Sequence, residues 1–352
     1  MNVTGRETGV TAALFAAMLF GITTPIAKQL LPGTQPLLMA GLLYLGCGVG
    51  VSLLRLGQDH GWSASGLKAS DWPWLGLTTL VGGIIAPALL MVGLSRADAA
   101  SASLLLNLEV VFTAALAWLV FSEPANRRVV WGLAAIFVGS MVLGWPRHFS
   151  AGNDLTALLL VAGACLCWAL DNNLTRKVSA ADARVLTVIK GLVAGVTNTT
   201  LAFALGAALP SVPHLVAALL LGFLGYGLSL VLFIVSLRHL GAARTGAYFA
   251  TAPFIGAAVA MVLAGSWGGA AFWVAAVCMG VGVWLHATES HEHEHAHDPL
   301  QHSHAHTHDE HHQHLHGFPW DGQEPHSHEH VHAWLRHSHA HFPDIHHRHG
   351  HG

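Results

Sequence analysis

Histidine recurs at almost every second position near the C-terminus of the chain. Residues 291–317 read HEHEHAHDPLQHSHAHTHDEHHQHLHG, and 23 of the 28 histidines fall within residues 290–352. In an extended chain, two to four such imidazoles can close on one ion, and neutral imidazole suits nickel, cobalt, zinc and copper. The pattern therefore predicts a metal-binding segment. The alternative is a polar tail that only keeps the protein in solution.

The segment 290–352 contains few aliphatic residues. It cannot bury enough apolar surface to fold alone, so it is predicted to be disordered. The ions expected there are nickel, cobalt or zinc, and no other cofactor is required. The predicted ligands are His291, His293, His295, His297, His302, His304, His306, His308, His311, His312, His314, His316, His326, His328, His330 and His332.

Three ionisable residues interrupt apolar stretches farther upstream. Glu109 lies in LLNLEVVFTAAL, Asp171 lies in CLCWALDNNLTRK, and Lys190 falls about two helical turns into the apolar stretch after residue 184. An ionisable group inside a bilayer costs at least a few kcal/mol, so it usually faces a cavity or a partner. A carboxylate there can bind a cation or a proton. For Glu109 the structural alternative is a neutral, hydrogen-bonded acid.

Polar residues beside these groups extend the predicted transport pathway. Asn172 and Asn173 follow Asp171 directly, and Asn198 lies about two turns after Lys190 on the same helix face. Lys190 could pair with either of the two carboxylates, and the sequence leaves that choice open. The alternatives are that the lysine extends to the membrane interface and that the Asp171 cluster lies at that interface.

The elements that carry these residues are predicted membrane spans. Of the 352 residues, 53% are hydrophobic and only 10% are charged, whereas soluble domains average roughly 25% charged. A net charge of -3 gives no electrostatic support for a nucleic-acid partner. A span needs about 20 apolar residues. The chain is predicted to be an all-α integral membrane protein with ten transmembrane helices, at roughly 8–30, 36–55, 73–95, 98–121, 128–145, 154–175, 184–208, 214–237, 243–264 and 270–287.

Lysine and arginine set the predicted orientation of the spans. With the N-terminus in the cytoplasm, the outside loops hold three of these residues: Lys28, Arg96 and Arg147. The inside segments hold ten: Arg6, Arg55, Lys68, Arg127, Arg128, Arg176, Lys177, Arg184, Arg238 and Arg244. Both termini, and with them the histidine-rich segment, are therefore predicted to be cytoplasmic.

The chain also carries an internal repeat. A shift of 143 residues places LLMVGLSRADAASAS on LFIVSLRHLGAARTG and aligns five apolar or small identities, from Leu89 with Leu232 to Ala100 with Ala243. Each copy bridges the third and fourth spans of a five-span half. Because five is odd, the halves must be inverted in the membrane, as in many secondary transporters. The predicted domains are residues 1–150 and 151–289, followed by the tail 290–352.

Two stretches of the first half carry a family resemblance. The sequences LLLNLEVVFTAALAWLVFSEP at 104–124 and GLAAIFVGSMVLGW at 132–145, with the ten spans and two halves, resemble the EamA-type drug/metabolite transporter superfamily. The second half departs from the pattern, since its fourth span ends in GSW and not in an acidic turn. A body of this type with a histidine-rich cytoplasmic tail is also similar to nickel and cobalt resistance exporters of that superfamily. The resemblance implies a transporter of the bacterial inner membrane and no enzyme.

The leading hypothesis is a secondary-active exporter of divalent transition metals, nickel or cobalt, driven by proton antiport. Glu109 and Asp171 would alternate between binding the cation, or a proton, and pairing with Lys190, and the tail would collect or sense metal. One rival is an exporter of small organic metabolites with the tail as a metal buffer. The other is a membrane-anchored metal store without transport. The expected partners are the lipid bilayer and the solute, and a homodimer stays open.

Overall fold

The fold is taken from a computed structural model. It describes residues 3–58, 66–120, 127–144, 155–175, 178, 181–240, 245, 248–287, 292–297, 300–306, 326–332 and 335–340. The described residues form two compact units, one within Met1–Glu289 and one within Ser290–Pro343.

The first unit is helical throughout its described elements. Its helices are α1 (Val3–Leu30), α2 (Pro36–Gln58), α3 (Trp72–Thr78), α4 (Ala86–Arg96), α5 (Ala99–Leu105), α6 (Leu108–Leu119), α7 (Arg127–Gly144), α8 (Leu155–Thr175), α9 (Ala183–Ala204), α10 (Val212–Gly222), α11 (Ser229–Leu240), α12 (Ala252–Ala264) and α13 (Ala270–Ala287). A single 3-10 turn, Ala69–Asp71, precedes α3.

Seven helical stretches of the described residues are long and apolar enough to cross a bilayer: Glu7–Leu30, Pro36–Gly57, Ala69–Arg96, Ala99–Leu116, Leu155–Thr175, Ala183–Ala204 and Val212–Ser236. Three further apolar helices are shorter, namely Val130–Val142, Ala252–Ala264 and Ala270–Leu285. Large apolar side chains such as Trp131, Val262 and Trp284 are exposed on the bundle surface, as lipid contact requires. The chain is therefore a multi-pass helical membrane protein, and the count of ten spans stays a prediction.

Three of the long stretches are not regular α-helices. A π-helical segment, Thr79–Ile85, joins α3 to α4, and a second one, Phe223–Leu228, joins α10 to α11. Two residues, Leu106 and Asn107, separate α5 from α6. Irregular backbone inside a bilayer is tolerated only where its polar groups find partners within the protein. Asn107 supplies one, because its Nδ2 donates to the carbonyl of Leu104 at 3.1 Å.

Small residues bring the central helices together. α2 and α9 pack in an antiparallel pair in which Gly41 lies against Thr199, Gly48 against Gly191, and Gly195 against Leu45. A Cβ atom at any of these glycines would overlap the partner helix, so the close approach depends on their lack of a side chain.

The other described helices each pack against particular neighbours. α1 packs against α11 and α12, whereas α8 packs against α4 and α6. α5 lies on α12, and α7 lies on α13. In this arrangement α8 and α9, which are consecutive in the chain, both border the π-helical segment Thr79–Ile85.

The second unit contains four strands: β1 (Glu292–His297), β2 (Leu300–His306), β3 (His326–His332) and β4 (Leu335–Ala340). β1 pairs with β4 and β2 pairs with β3, both antiparallel, in two separate two-stranded sheets. The pairing of these four segments differs from the disorder predicted for residues 290–352. The rest of that range lies outside the described residues, so the disorder expected there stays a prediction. The alternation of histidine with small or polar residues has the period of two that a strand requires, so it is compatible with extended pairing.

Candidate functional site

A buried ion pair joins α8 to α9. The Lys190 Nζ donates to both carboxylate oxygens of Asp171, at 2.6 and 2.7 Å. The Thr175 hydroxyl, one turn farther along α8, donates to Asp171 Oδ1 at 2.9 Å. The side chains of Asp171 and Lys190 are only 12% and 11% exposed. The structure thus selects Asp171, not Glu109, as the partner of the lysine.

The ion pair lies close to the ends at which the two helices are connected. Asp171 lies four residues before the end of α8, and Lys190 lies seven residues after the start of α9. At a rise of 1.5 Å per residue these offsets are about 6 and 10 Å. α9 begins at a cap in which Asp182 accepts a hydrogen bond from the backbone of Arg184 at 2.9 Å. The ammonium therefore binds a carboxylate of the neighbouring helix, about one to two turns from the ends at which α8 and α9 are connected.

Aromatic side chains from α1, α2, α8 and the second π-helical segment lie together near Gly82. Tyr44 Oη donates to the Gly82 carbonyl at 2.9 Å, and Trp168 Nε1 donates to the same oxygen at 3.0 Å. The Tyr44 and Tyr226 ring centroids are 5.2 Å apart, and Phe20 lies edge-on to Trp168 at 6.0 Å. These faces form one aromatic cluster. An aromatic face attracts a cation more strongly when water is excluded.

Gly82 connects the aromatic cluster to the ion pair. It lies in the first π-helical segment, and its carbonyl is the shared acceptor for Tyr44 and Trp168. A Cβ atom added to Gly82 would overlap the carboxylate group of Asp171. The absence of a side chain at Gly82 therefore allows the carboxylate to pack directly against the backbone of the third span.

Replacing Gly82 with Ala should displace the Asp171 carboxylate from Lys190. We expect a loss of about 1–3 kcal/mol in stability, the usual cost of forcing an extra methyl group into a packed core, and a fall in transport. Gly76→Ala is the matched control, because a Cβ atom there would meet nothing within 4 Å. Unfolding in detergent and transport in vesicles measure both effects. Equal behaviour of the two variants would refute the contact.

Glu109 lies within the apolar stretch Ala99–Leu116, in agreement with its predicted place inside a span. The interruption at Leu106–Asn107 also puts it in the first turn of α6. Its Oε1 accepts a hydrogen bond from Asn172 Nδ2 at 2.7 Å. The positive end of the α6 dipole also favours a carboxylate at this place. Asn172 adjoins Asp171 in α8. One turn of that helix therefore carries the first candidate acidic residue, Asp171, and contacts the second, Glu109, through Asn172.

The other predicted pathway residues, Asn173 and Asn198, form hydrogen bonds with backbone carbonyls and not with the ion pair. Asn173 is buried and structural, since its Nδ2 donates to the carbonyls of Ala169 at 2.9 Å and Thr113 at 3.3 Å. Asn198 is fully buried, and its Nδ2 donates to the Ile84 carbonyl at 3.2 Å. Asn198 also lines an apolar groove of about 280 Å³ whose lining includes neither Asp171 nor Lys190. The structure therefore brings together Glu109, Asp171, Asn172 and Lys190, but it does not join Asn173 or Asn198 to them.

Four residues around the ion pair were not predicted from the sequence: Tyr44, Gly82, Trp168 and Thr175. One signal was available, because Trp168, Asp171 and Thr175 recur at spacings of three and four and must share a face of α8. Tyr44 and Gly82 carried no such signal, since they reach the site from other spans.

The side chains described in the membrane unit show no metal centre. Among them, no group of three or more His, Cys, Asp or Glu is placed to hold an ion. Of the predicted ligands, His291, His308, His311, His312, His314 and His316 lie outside the described residues. For the ten others, the structure describes the backbone positions in strands.

Comparison with known proteins identifies the family. The model of the EamA-like transporter family matches residues 7–145 and 155–288. The chain belongs to this family. The predicted resemblance to EamA-type transporters is thereby confirmed, while the narrower resemblance to nickel and cobalt exporters stays a prediction.

This EamA-like transporter is similar in sequence to two further proteins. An "uncharacterized transporter" of Methanothermobacter thermautotrophicus is 28% identical over 276 residues, which are 73% of this chain and 80% of the relative. A probable 4-amino-4-deoxy-L-arabinose-phosphoundecaprenol flippase subunit ArnE of Pseudomonas aeruginosa is 38% identical over 108 residues, 31% of this chain and 90% of the relative. A solved crystal structure is similar in fold, with a TM-score of 0.60 and 17% identity, over 82% of this chain and 99% of the other.

Proposed function

We propose that this EamA-like transporter is a secondary-active exporter that exchanges protons for a small organic cation at the Asp171–Lys190 pair. The observation that carries the proposal is the pair itself: two opposite charges, both about nine-tenths buried and bonded at 2.6 Å. Charges held inside a membrane protein are costly and usually belong to an ion or proton pathway.

The pair can couple two fluxes by exchange of counter-ions. In the resting state Lys190 neutralises Asp171 through two hydrogen bonds. An incoming cation that binds the carboxylate displaces the ammonium group. An ammonium group without a counter-ion in an apolar site is destabilised, so it gives up its proton to water. One cation bound and one proton released leave the total charge of the site unchanged, and reversal on the other side completes antiport.

The surroundings of Asp171 suit an organic cation better than a bare divalent ion. One carboxylate and the hydroxyl of Thr175 supply few oxygen ligands. Gly82, which packs against Asp171, also accepts hydrogen bonds from Tyr44 and Trp168 of the aromatic cluster. Aromatic faces with one carboxylate can bind an amine without a full coordination shell. The substrate in the name of the relative ArnE, an amino sugar on a lipid carrier, is also organic.

We further infer ten spans in two inverted five-helix repeats. The proposed second-half counterparts of α1, α2 and α7 are α8, α9 and α13. The contacts of α1 with α11 and α12 then correspond to those of α8 with α4 and α6. Support also comes from the 143-residue shift, which carries Gly48 onto Gly191, its own contact partner, and Gly82 onto Gly225, in the other π-helical segment. Cytoplasmic termini and the bacterial inner membrane complete this proposal.

Export of nickel or cobalt is the second candidate, and the composition of the tail favours it. A transporter that neither carries nor binds metal ions would not need the 23 histidines of residues 290–352. In this version Asp171 and Glu109 together would take the ion. The two candidates differ in which solute, an organic cation or a metal ion, is no longer exported when Asp171 is lost.

Accumulation assays in cells with and without the protein separate the candidates. We expect cells that contain it to accumulate less ethidium or tetraphenylphosphonium, in an Asp171-dependent manner, with little change in nickel, cobalt and zinc. Lower nickel or cobalt that depends on Asp171, with unchanged organic cations, would instead support metal export.

Deleting residues 290–352 should leave a folded, inserted helical body. The tail strands belong to a separate compact unit, so we expect the helical unit to fold without them. We expect organic-cation transport to persist and metal tolerance to shift modestly. Membrane fractionation and the accumulation assay measure both. Disappearance of the truncated protein from the membrane would show that the helical body needs its tail.

A further inference from the structure

The strand register of the tail unit places histidines directly opposite one another. In the β2–β3 sheet His302 pairs with His330, His304 with His328, and His306 with His326. The β1–β4 sheet repeats this with His293 opposite His339 and His295 opposite His337. These five opposed histidine pairs are called rungs below.

The positions between the rungs are small, polar or charged. Ser303 is opposite Glu329 and Ala305 is opposite Ser327 in the β2–β3 sheet. Since strand residues alternate between two faces, all three rungs of this sheet fall on one face, and the intervening positions fall on the other. A slip of one residue would place every one of these histidines opposite a residue of another type. The register therefore places histidine positions opposite one another in pairs.

The dimensions of a strand pair suit metal coordination by such rungs. Directly opposite residues have Cβ atoms about 4.5–5.5 Å apart, and neighbouring rungs are about 6.8 Å apart along the strand. Imidazole nitrogens bind zinc at about 2.0–2.1 Å, usually as a set of three or four ligands. One rung gives two ligands to an ion, and the adjacent rung or water can complete the set.

We propose that the two tail sheets are metal sites whose unit is the cross-strand histidine rung, and that they take late first-row divalent ions such as nickel, copper, zinc or cobalt. A two-stranded sheet without an apolar face is marginally stable. Metal binding therefore supplies the free energy that holds β2 against β3 across the residues between them, and folding of the tail is coupled to the ion. This proposal is independent of what the helical body transports.

Three variants of the full-length protein test the rung as the binding unit. His304→Gln with His328→Gln removes the central rung of the β2–β3 sheet. His304→Gln with His295→Gln removes the same number of histidines but damages one rung in each sheet. Ser303→His with His304→Ser keeps the composition unchanged and moves the imidazole to the position opposite Glu329.

Calorimetric titration with nickel chloride at pH 7.5 measures the affinities. Loss of a group that merely supports a ligand weakens metal binding by about 10–100-fold, so loss of a ligand pair should weaken binding in its sheet at least about tenfold. We expect the opposed pair to weaken one class of sites, the split pair to weaken two, and the exchanged variant to weaken only the sites of the β2–β3 sheet. Wild-type affinity in the exchanged variant would overturn the proposal, and so would the same pattern of losses in the opposed-pair and split-pair variants.

Hydrogen exchange of the same proteins supplies a readout of pairing. Nickel should protect the backbone amides of residues 300–306 and 326–332 together in the wild type, and should protect them less in the exchanged variant. Binding of nickel without protection of both strands would also overturn the proposal, because the ion would then be held without cross-strand rungs.

Discussion

Replacing Asp171 with Asn is expected to abolish transport and to destabilise the protein. The substitution removes the negative charge that binds Lys190 at 2.6 Å and that would receive the transported cation. Removing one partner of a buried ion pair costs about 3–5 kcal/mol, because the other charge stays buried without compensation. Unfolding in detergent and uptake into proteoliposomes measure the two losses separately.

A second substitution distinguishes a failure of folding from a failure of mechanism. Asp171→Asn with Lys190→Met removes both charges, and neutral replacement of a buried pair often restores stability. We expect this double variant to recover most of the lost stability and none of the transport. Recovery of both would show that Asp171 serves only to neutralise the lysine. Recovery of neither would leave no support for a direct ion pair in the functional protein.

Replacing Glu109 with Gln is expected to stop transport while the protein remains folded in the membrane. Glutamine keeps the shape of the side chain and can still accept the hydrogen bond from Asn172, whose length is 2.7 Å. It loses the negative charge at the start of α6, which is worth about 0.3–1 kcal/mol. A large effect on transport beside a small effect on stability would mark Glu109 as a second cation or proton site.

Two variants control this result. Asn172→Ala removes the hydrogen bond but leaves the charge of Glu109, so transport should be reduced and not lost. Glu109→Gln with Lys190→Met should not restore transport, because Lys190 already pairs with Asp171. Normal transport in Glu109→Gln alone would mean that Glu109 is a neutral structural acid.

The helical character and the membrane location of the chain could be predicted from the sequence, because both depend on properties summed over about 20 residues. The interruptions of the helices could not be predicted. The largely apolar stretch LLLNLEVV favours one continuous helix, yet the helix stops at Leu106–Asn107, where the side chain of Asn107 donates a hydrogen bond to the Leu104 carbonyl. The π-helical segments at Thr79–Ile85 and Phe223–Leu228 also depend on packing between spans, for which single-span patterns carry no signal.

The charged residues of the candidate site could be predicted from the sequence, but the carboxylate that pairs with Lys190 was not. Both carboxylates were plausible partners for Lys190, but one consideration could have decided between them. Asp171 and Lys190 lie near the facing ends of consecutive spans with a short connection, so the helices must be antiparallel neighbours. The aromatic cluster could not be found this way, because Phe20, Tyr44 and Tyr226 come from spans distant in sequence.

Proton movement in proteoliposomes tests the central claim most directly. A pH-sensitive dye inside the vesicles reports protons leaving as a solute enters, with tetraphenylphosphonium, ethidium and spermidine tested beside nickel and cobalt. We predict that at least one organic cation makes the lumen alkaline through the wild-type protein and not through Asp171→Asn. A proton response to nickel or cobalt but to no organic cation, an undiminished response in Asp171→Asn, or no response to any of these solutes would contradict proton exchange for an organic cation at the Asp171–Lys190 pair.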